Sequence, residues 1–202
     1  AGAVVLGLVL GAGVSARELE QARRAAACVA EGASIRGLWD AGARTRLELA
    51  LADADGGQAA ARALASLDEF AGQWAGARTA ACRRVLVEGR WDGDTSERAQ
   101  GCLQAARGAL AGALANLDDG EPRGALRVAQ AAASLPAVAA CLDVQALALR
   151  PQLPRDRAAQ AELGRLELLL ARATALQVAG RSGEAWKLAR SLVARADELG
   201  WG

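Results

Sequence analysis

Apolar positions along the chain recur at helical spacing and are broken at short intervals by glycine, proline or aspartate clusters. The breaks fall at Gly32-Ala33-Ser34, Asp55-Gly56-Gly57, Trp91-Asp92-Gly93-Asp94, Asp118 to Pro122 and Pro151 to Pro154. Between them the pattern predicts helices over residues 17–31, 34–53, 57–90, 95–117, 122–134, 137–149, 155–179 and 182–199. No break is long enough to be a linker, so consecutive helices should form antiparallel hairpins. Thr95 or Ser96 is placed to cap the fourth helix, Pro122 suits the first turn of the fifth, and Pro136 should end or kink it. In the seventh, Leu166, Leu169, Leu170, Ala173 and Leu176 share a face opposite Arg165 and Arg172. That face should pack.

The pattern differs at the start. Residues 1–16 carry no charge and include glycine at positions 2, 7, 11 and 13. Sixteen helical residues rise roughly 24 Å, short of the roughly 30 Å hydrocarbon core. We read this run as a truncated transmembrane helix in a longer product, the chain opening at Ala1 and containing no Met. A secretory h-region and a buried soluble helix are the alternatives, although no basic residue precedes the run. Gly7 and Gly11 make a GxxxG spacing that suits close approach of two spans, and hence a homodimer; the general abundance of glycine gives the same pattern.

Composition narrows the fold to all-α. Hydrophobic residues make up 52% of the 202, with one Phe and no Tyr, and most are Ala, Leu and Val. The expected architecture is a set of helical hairpins stacked as an irregular bundle. The 24 basic and 23 acidic side chains are interspersed, so nucleic-acid binding has no electrostatic footprint. Without His or Tyr the chain lacks the commonest neutral-pH general base, and an enzymatic role is not expected. No cofactor is expected either: Gly11-Ala12-Gly13 follows no strand, and is no dinucleotide loop. Asp53, Asp55, Asp118 and Asp119 fit turn and capping roles and not the spacing of a calcium loop.

Four cysteines carry the sharpest signal. Cys28 and Cys82 lie equally far from residue 55, and Cys102 and Cys141 almost equally far from the 118–122 turn. Positions mirrored about the turn of an antiparallel hairpin face each other, which predicts the disulfides Cys28 to Cys82 and Cys102 to Cys141. Four cysteines allow three pairings, and only this one satisfies both hairpins. Such bonds imply an oxidising compartment; the alternative is four buried thiols in a reducing one. A zinc site is disfavoured by the absence of His and of any short cysteine pair. Trp39 and Trp74 repeat the symmetry about the first turn and should pack one layer closer to it. Trp91 and Trp201 are candidates for burial against a neighbouring helix or for partner contact.

Residues 158–199 read as two helices joined by Ala179-Gly180-Arg181-Ser182-Gly183 and followed by Glu184-Ala185. This hairpin resembles a tetratricopeptide repeat: Ala185 stands at the small position of its second helix, and Ala173 and Leu176 at small and large positions of the first. Ser182 replaces an aromatic residue common in that repeat, and Asp197 stands near its closing proline. The whole series of apolar run, Cys28, Trp39, Trp74, Cys82, Cys102, Leu135-Pro136, Cys141-Leu142-Asp143 and repeat-like hairpin looks like the region beyond the kinase domain in bacterial receptor-type serine/threonine protein kinases that carry tetratricopeptide repeats. The resemblance implies a transmembrane helix at 1–16, a disulfide-braced extracytoplasmic domain at 17–154, periplasmic or at the cell surface, and a repeat-like hairpin at 155–202. It also implies a kinase domain upstream; neither HRD nor DFG occurs here, and Lys187 lies within a helix. On this reading the chain is a non-catalytic sensing region that binds an unknown protein or peptide. The alternative is a tethered or soluble repeat scaffold unconnected to a kinase.

Overall fold

The computed structural model describes residues 2–53, 57–115, 122–150 and 156–198, with side chains in the first helix from residue 16 onward. The described residues contain helices and no strands. The α-helices are α1 (Gly2–Ala33), α2 (Ala41–Asp53), α3 (Gly57–Leu86), α4 (Gly93–Leu114), α5 (Pro122–Ala132), α6 (Val144–Ala148), α7 (Arg157–Val178) and α8 (Ser182–Glu198). Short 3₁₀ turns occupy Ser34–Gly37 and Val138–Leu142. Helices pack as antiparallel pairs, as the composition and pattern predicted.

Aspartates start four of these helices. Asp40 Oδ1 accepts from the Ala43 amide at 2.7 Å, Asp92 Oδ1 from Thr95 at 2.8 Å, and Asp156 Oδ2 from Ala159 at 2.8 Å. Asp143 Oδ1 accepts from the amides of Gln145 and Ala146. Each satisfies an amide that has no partner within the helix. The cap of α4 is therefore Asp92, and not Thr95 or Ser96: Thr95 is the residue whose amide donates. The helix starts earlier than the hydroxyl residues suggest because the Asp92 carboxylate, three residues before Thr95, is a stronger acceptor than either hydroxyl. Its hydrogen bonds to Thr95 hold the Asp92 carboxyl below its usual value.

Two stretches depart from the expected helices. Residues 34–53 are divided by the 3₁₀ turn and a bend, because Asp40 caps a fresh helix. The 137–149 stretch is a 3₁₀ turn followed by the five-residue α6, since Asp143 caps at mid-segment. Helix α3 stops at Leu86, short of residue 90. Gly89 takes a positive φ of 61°, and the Arg90 amide reaches back to the Arg84 carbonyl at 2.7 Å, closing the helix with a left-handed residue. Gly180, at φ 74°, ends α7 similarly, with the Arg181 amide on the Leu176 carbonyl at 2.9 Å.

The core lies where α2, α3, α4, α5 and the 138–148 segment meet. Leu47, Leu51, Leu67, Leu103, Leu110, Val128, Val138 and Leu147 are buried there almost completely. Helix α3 is the spine: α2 packs along its first half and α1 along its second. The register of α1 on α3 is fixed by three links. Arg24 donates to the Leu86 carbonyl, Cys28 meets Cys82, and Glu31 pairs with Arg78 at 2.8 Å. Close approach at the far end depends on Gly32, where a Cβ would collide with Thr79 Oγ1 and the Ala75 carbonyl.

Helix α7 docks on α4, and α8 packs only against α7 among the helix pairs with substantial contact. Gly112 permits the α4 to α7 approach, a Cβ there lying 3.0 Å from that of Ala171. Ala173 and Ala185 are buried and line one cleft between α7 and α8, Leu163 is buried in the wall of the groove towards α3 and α4, and Leu166 is buried as well. The expected leucine face is only partly packed: Leu169 is 37% and Leu170 56% exposed. Two helices supply too little neighbouring surface to cover so wide a stripe.

Candidate binding surface

Both disulfides form in the pairing read from the sequence. Cys28 and Cys82 have Cα atoms 5.4 Å apart, as do Cys102 and Cys141, and no cysteine is left free. These distances sit at the usual disulfide separation. Closing spans of 54 and 39 residues constrains the unfolded chain by about 4 kcal/mol each in the chain-entropy picture. Two such bonds suit an oxidising, extracytoplasmic setting. Among the described residues no helix is long and apolar enough to cross a membrane. The side chains of residues 1–15, Gly7 and Gly11 included, lie outside the described set.

The tryptophans divide by role. Trp39 and Trp74 are buried in the common core, but each takes its own partner: Trp39 Nε1 donates to Asp68 Oδ1 at 2.8 Å, and Trp74 Nε1 to the Leu103 carbonyl at 2.7 Å. Arg44 donates to the second oxygen of Asp68 at 3.0 Å, so that carboxylate joins α2 to α3 from both sides. Trp91 is half-buried against the core, with the Arg84 guanidinium 4.7 Å from its ring centroid. Trp201 lies outside the described residues. Trp186, which the pattern did not single out, is 65% exposed on α8. Its position beside Ala185 was the available signal, because adjacent residues point about 100° apart on a helix and a helix with a single packed neighbour buries only a narrow stripe.

Asp55, Asp118 and Asp119 fall outside the described residues, as does the side chain of Asp53. No group of His, Cys, Asp or Glu among the described residues could hold a metal ion.

Two grooves remain as binding candidates. The larger, about 650 Å³, lies between α3, α4 and α7. Its walls include Trp74 and Arg78, the one-turn pair Gln100 and Gln104 with Arg107, and Leu163, Gly164 and Glu167. Glu167 is half-buried, and this burial raises its carboxyl above the ordinary value despite the opposing charge of Arg150. The lining mixes both charges with amides, and nothing in it forms a nucleophile and base pair. The second groove, about 580 Å³, lies between α1, α3 and the turn that follows α3. Its rim is mostly arginine.

Around the hairpin, Glu162 accepts from Arg195 and Arg165, each at 3.0 Å. The Arg195 hydrogen bond, chiefly, holds the Glu162 carboxyl below its usual value. This exposed pair ties α8 to α7.

No protein-family model, curated protein or solved structure matches this chain.

Proposed function

We propose that this chain is the non-catalytic, extracytoplasmic sensing region of a membrane-anchored bacterial serine/threonine protein kinase. The observation that carries the reading is the pair of disulfides, each joining mirrored positions across the helical stack, immediately beyond an apolar run. Their presence suits an oxidising compartment, and the apolar run at 1–16 supplies a connection to the membrane. Grooves between helices supply the binding surface. A ligand or protein partner that prefers one arrangement of the receptor shifts its conformational or oligomeric equilibrium, and through the span the association of the kinase domains.

A membrane-tethered or soluble repeat scaffold unconnected to a kinase is favoured by a different observation. Leu170, Trp186 and Val193 are exposed on the α7 to α8 hairpin, and Leu170 and Trp186 line one cleft between its two helices. Repeat-type hairpins use such faces to continue a stack or to hold a partner.

The test uses the full-length protein in its native membrane. Residues 17–202 should be cleaved by protease added from outside, and non-reducing mass mapping should return Cys28 joined to Cys82 and Cys102 joined to Cys141. Phosphotransfer activity should reside upstream of Ala1. Four free thiols in natively localised protein would defeat the extracytoplasmic reading; an upstream sequence without a kinase domain would favour the scaffold.

A further inference from the structure

The second groove concentrates charge in a chain that is otherwise nearly neutral. Arg36, Arg83, Arg84 and Arg90 line it, against the single carboxylate of Glu88, whereas the whole chain has a net charge of only +1. The four guanidinium groups are not equivalent. Arg84 is fixed by donating to the Leu142 carbonyl at 2.9 Å and by lying over Trp91. Arg90 pairs with Glu88 at 3.0 Å. Arg36 and Arg83 are exposed and make no ion pair or side-chain hydrogen bond with any described residue.

The floor beneath them is built from small residues. Gly32 and Ala33 come from α1, and Ala75, Gly76, Thr79 and Ala80 from α3. Nothing lies within 4 Å of where a Cβ on Gly76 would stand, so the space above it is open. At Gly32 the two helices touch. The floor is thus closed while the rim is cationic.

We propose that this groove binds a soluble ligand carrying two or more phosphate-type anionic charges, with Arg36 and Arg83 as its principal contacts. A guanidinium presents paired N–H donors that match two oxygens of a phosphate, and an excess of three cations over carboxylates suits more than one such group. The two free arginines sit on different elements, the 3₁₀ turn and α3, so one ligand bridging them needs separated charges.

Lipid headgroups offer the same chemistry. The geometry favours a soluble source, a choice that rests on the membrane reading above. Helix α1 runs without interruption from the apolar run to Ala33, and the groove residues Val29 to Ala33 lie 13 to 17 residues beyond Ala16. That is roughly 20 to 25 Å of helix for the α1 wall and roughly 16 Å for Arg83, which lies opposite residue 27, beyond the headgroup layer of roughly 5 to 8 Å on a bilayer holding residues 1–16.

The Cys28 to Cys82 bond clamps the two walls beside the groove, Cys28 preceding Val29 and Cys82 preceding Arg83. It holds the site preformed, which lowers the ordering cost of binding.

The test is calorimetric titration of the oxidised chain with pyrophosphate, tripolyphosphate and inorganic phosphate, alongside co-sedimentation with phosphatidylglycerol vesicles. Tripolyphosphate should bind more tightly than pyrophosphate, and both more tightly than inorganic phosphate. The double substitution Arg36→Ala with Arg83→Ala should weaken binding at least tenfold while leaving the thermal melt unchanged, because neither side chain has a partner to lose among the described residues. Gly76→Leu should block the groove without removing charge, whereas Arg46→Ala with Arg157→Ala, on other surfaces, should leave binding intact. Equal weakening by that control pair would overturn the site in favour of diffuse attraction. Vesicle binding without tripolyphosphate binding would overturn the soluble source, and no binding to either would overturn the proposal. None of these outcomes depends on whether a kinase lies upstream.

Discussion

Replacing Cys28 and Cys82 together by alanine separates the contribution of one staple from the rest of the fold. The bond closes a separation of 54 residues, and the chain-entropy relation gives a stabilisation of about 4 kcal/mol. Against a typical domain stability of about 5 to 15 kcal/mol, that is a large share. For a chain of this size the expected fall in Tm is roughly 8 to 16 °C. Both sulfurs are buried, so truncation to alanine adds a small packing loss in the same direction. Urea unfolding with the Cys102 to Cys141 bond intact measures the change directly. The slope m should rise, because an unfolded state released from one crosslink exposes more surface. The two bonded spans follow one another along the chain without nesting, so the matching Cys102→Ala with Cys141→Ala variant should lose a similar amount, and the losses should add. A loss below about 1 kcal/mol for the first pair would refute this account.

Three other perturbations test the packing. Gly32→Leu should destabilise the fold by several kcal/mol on the scale of overpacked cores, about 1 to 3 or more, because it drives α1 off Thr79 and the Ala75 backbone; chemical denaturation reads the cost, and a neutral result would contradict the close approach. Trp74→Phe should cost about 1 kcal/mol or more by leaving the buried Leu103 carbonyl without its indole donor, a loss measurable in the same unfolding experiment. Glu167→Gln should raise Tm at neutral pH. The folded-state carboxyl titrates above its unfolded value, so its ionised form opposes folding at high pH and that penalty disappears as pH falls through the folded pKa; a gain that persisted undiminished in acid would contradict the burial argument.

The cysteine pairing was legible because register in an antiparallel stack is nearly a matter of counting. Arg24 and Leu86, Cys28 and Cys82, and Glu31 and Arg78 all sit symmetrically about residue 55 to within one position. The intervening α2 does not disturb this, because α3 is long enough to run back along both α2 and α1. Helix ends were less legible where a side chain acts within a segment that pattern alone treats as continuous. Asp40 and Asp143 each restart a helix in the middle of an expected one. The exposed leucines of α7 mark another limit, since periodicity identifies an apolar stripe but not whether a neighbour exists to cover it. The arginine groove was invisible for a different reason. Arg36 and Arg83 are distant in sequence, and their convergence depends on the α1 to α3 register together with the 3₁₀ turn at Ser34–Gly37.

The sequential arrangement of the two disulfides also determines how the molecule would transmit tension. A force applied between the ends cannot extend the chain between Cys28 and Cys82 or between Cys102 and Cys141, because the load passes through the sulfur bridges. Spans of 54 and 39 residues are thereby removed from the stretchable contour, roughly 300 Å at the reach of an extended chain. The α7 to α8 hairpin lies outside both bridges and would yield in full. Under load the oxidised chain should act as a short stiff element in series with an extensible end, and reduction should convert it into a tether of nearly twice the length.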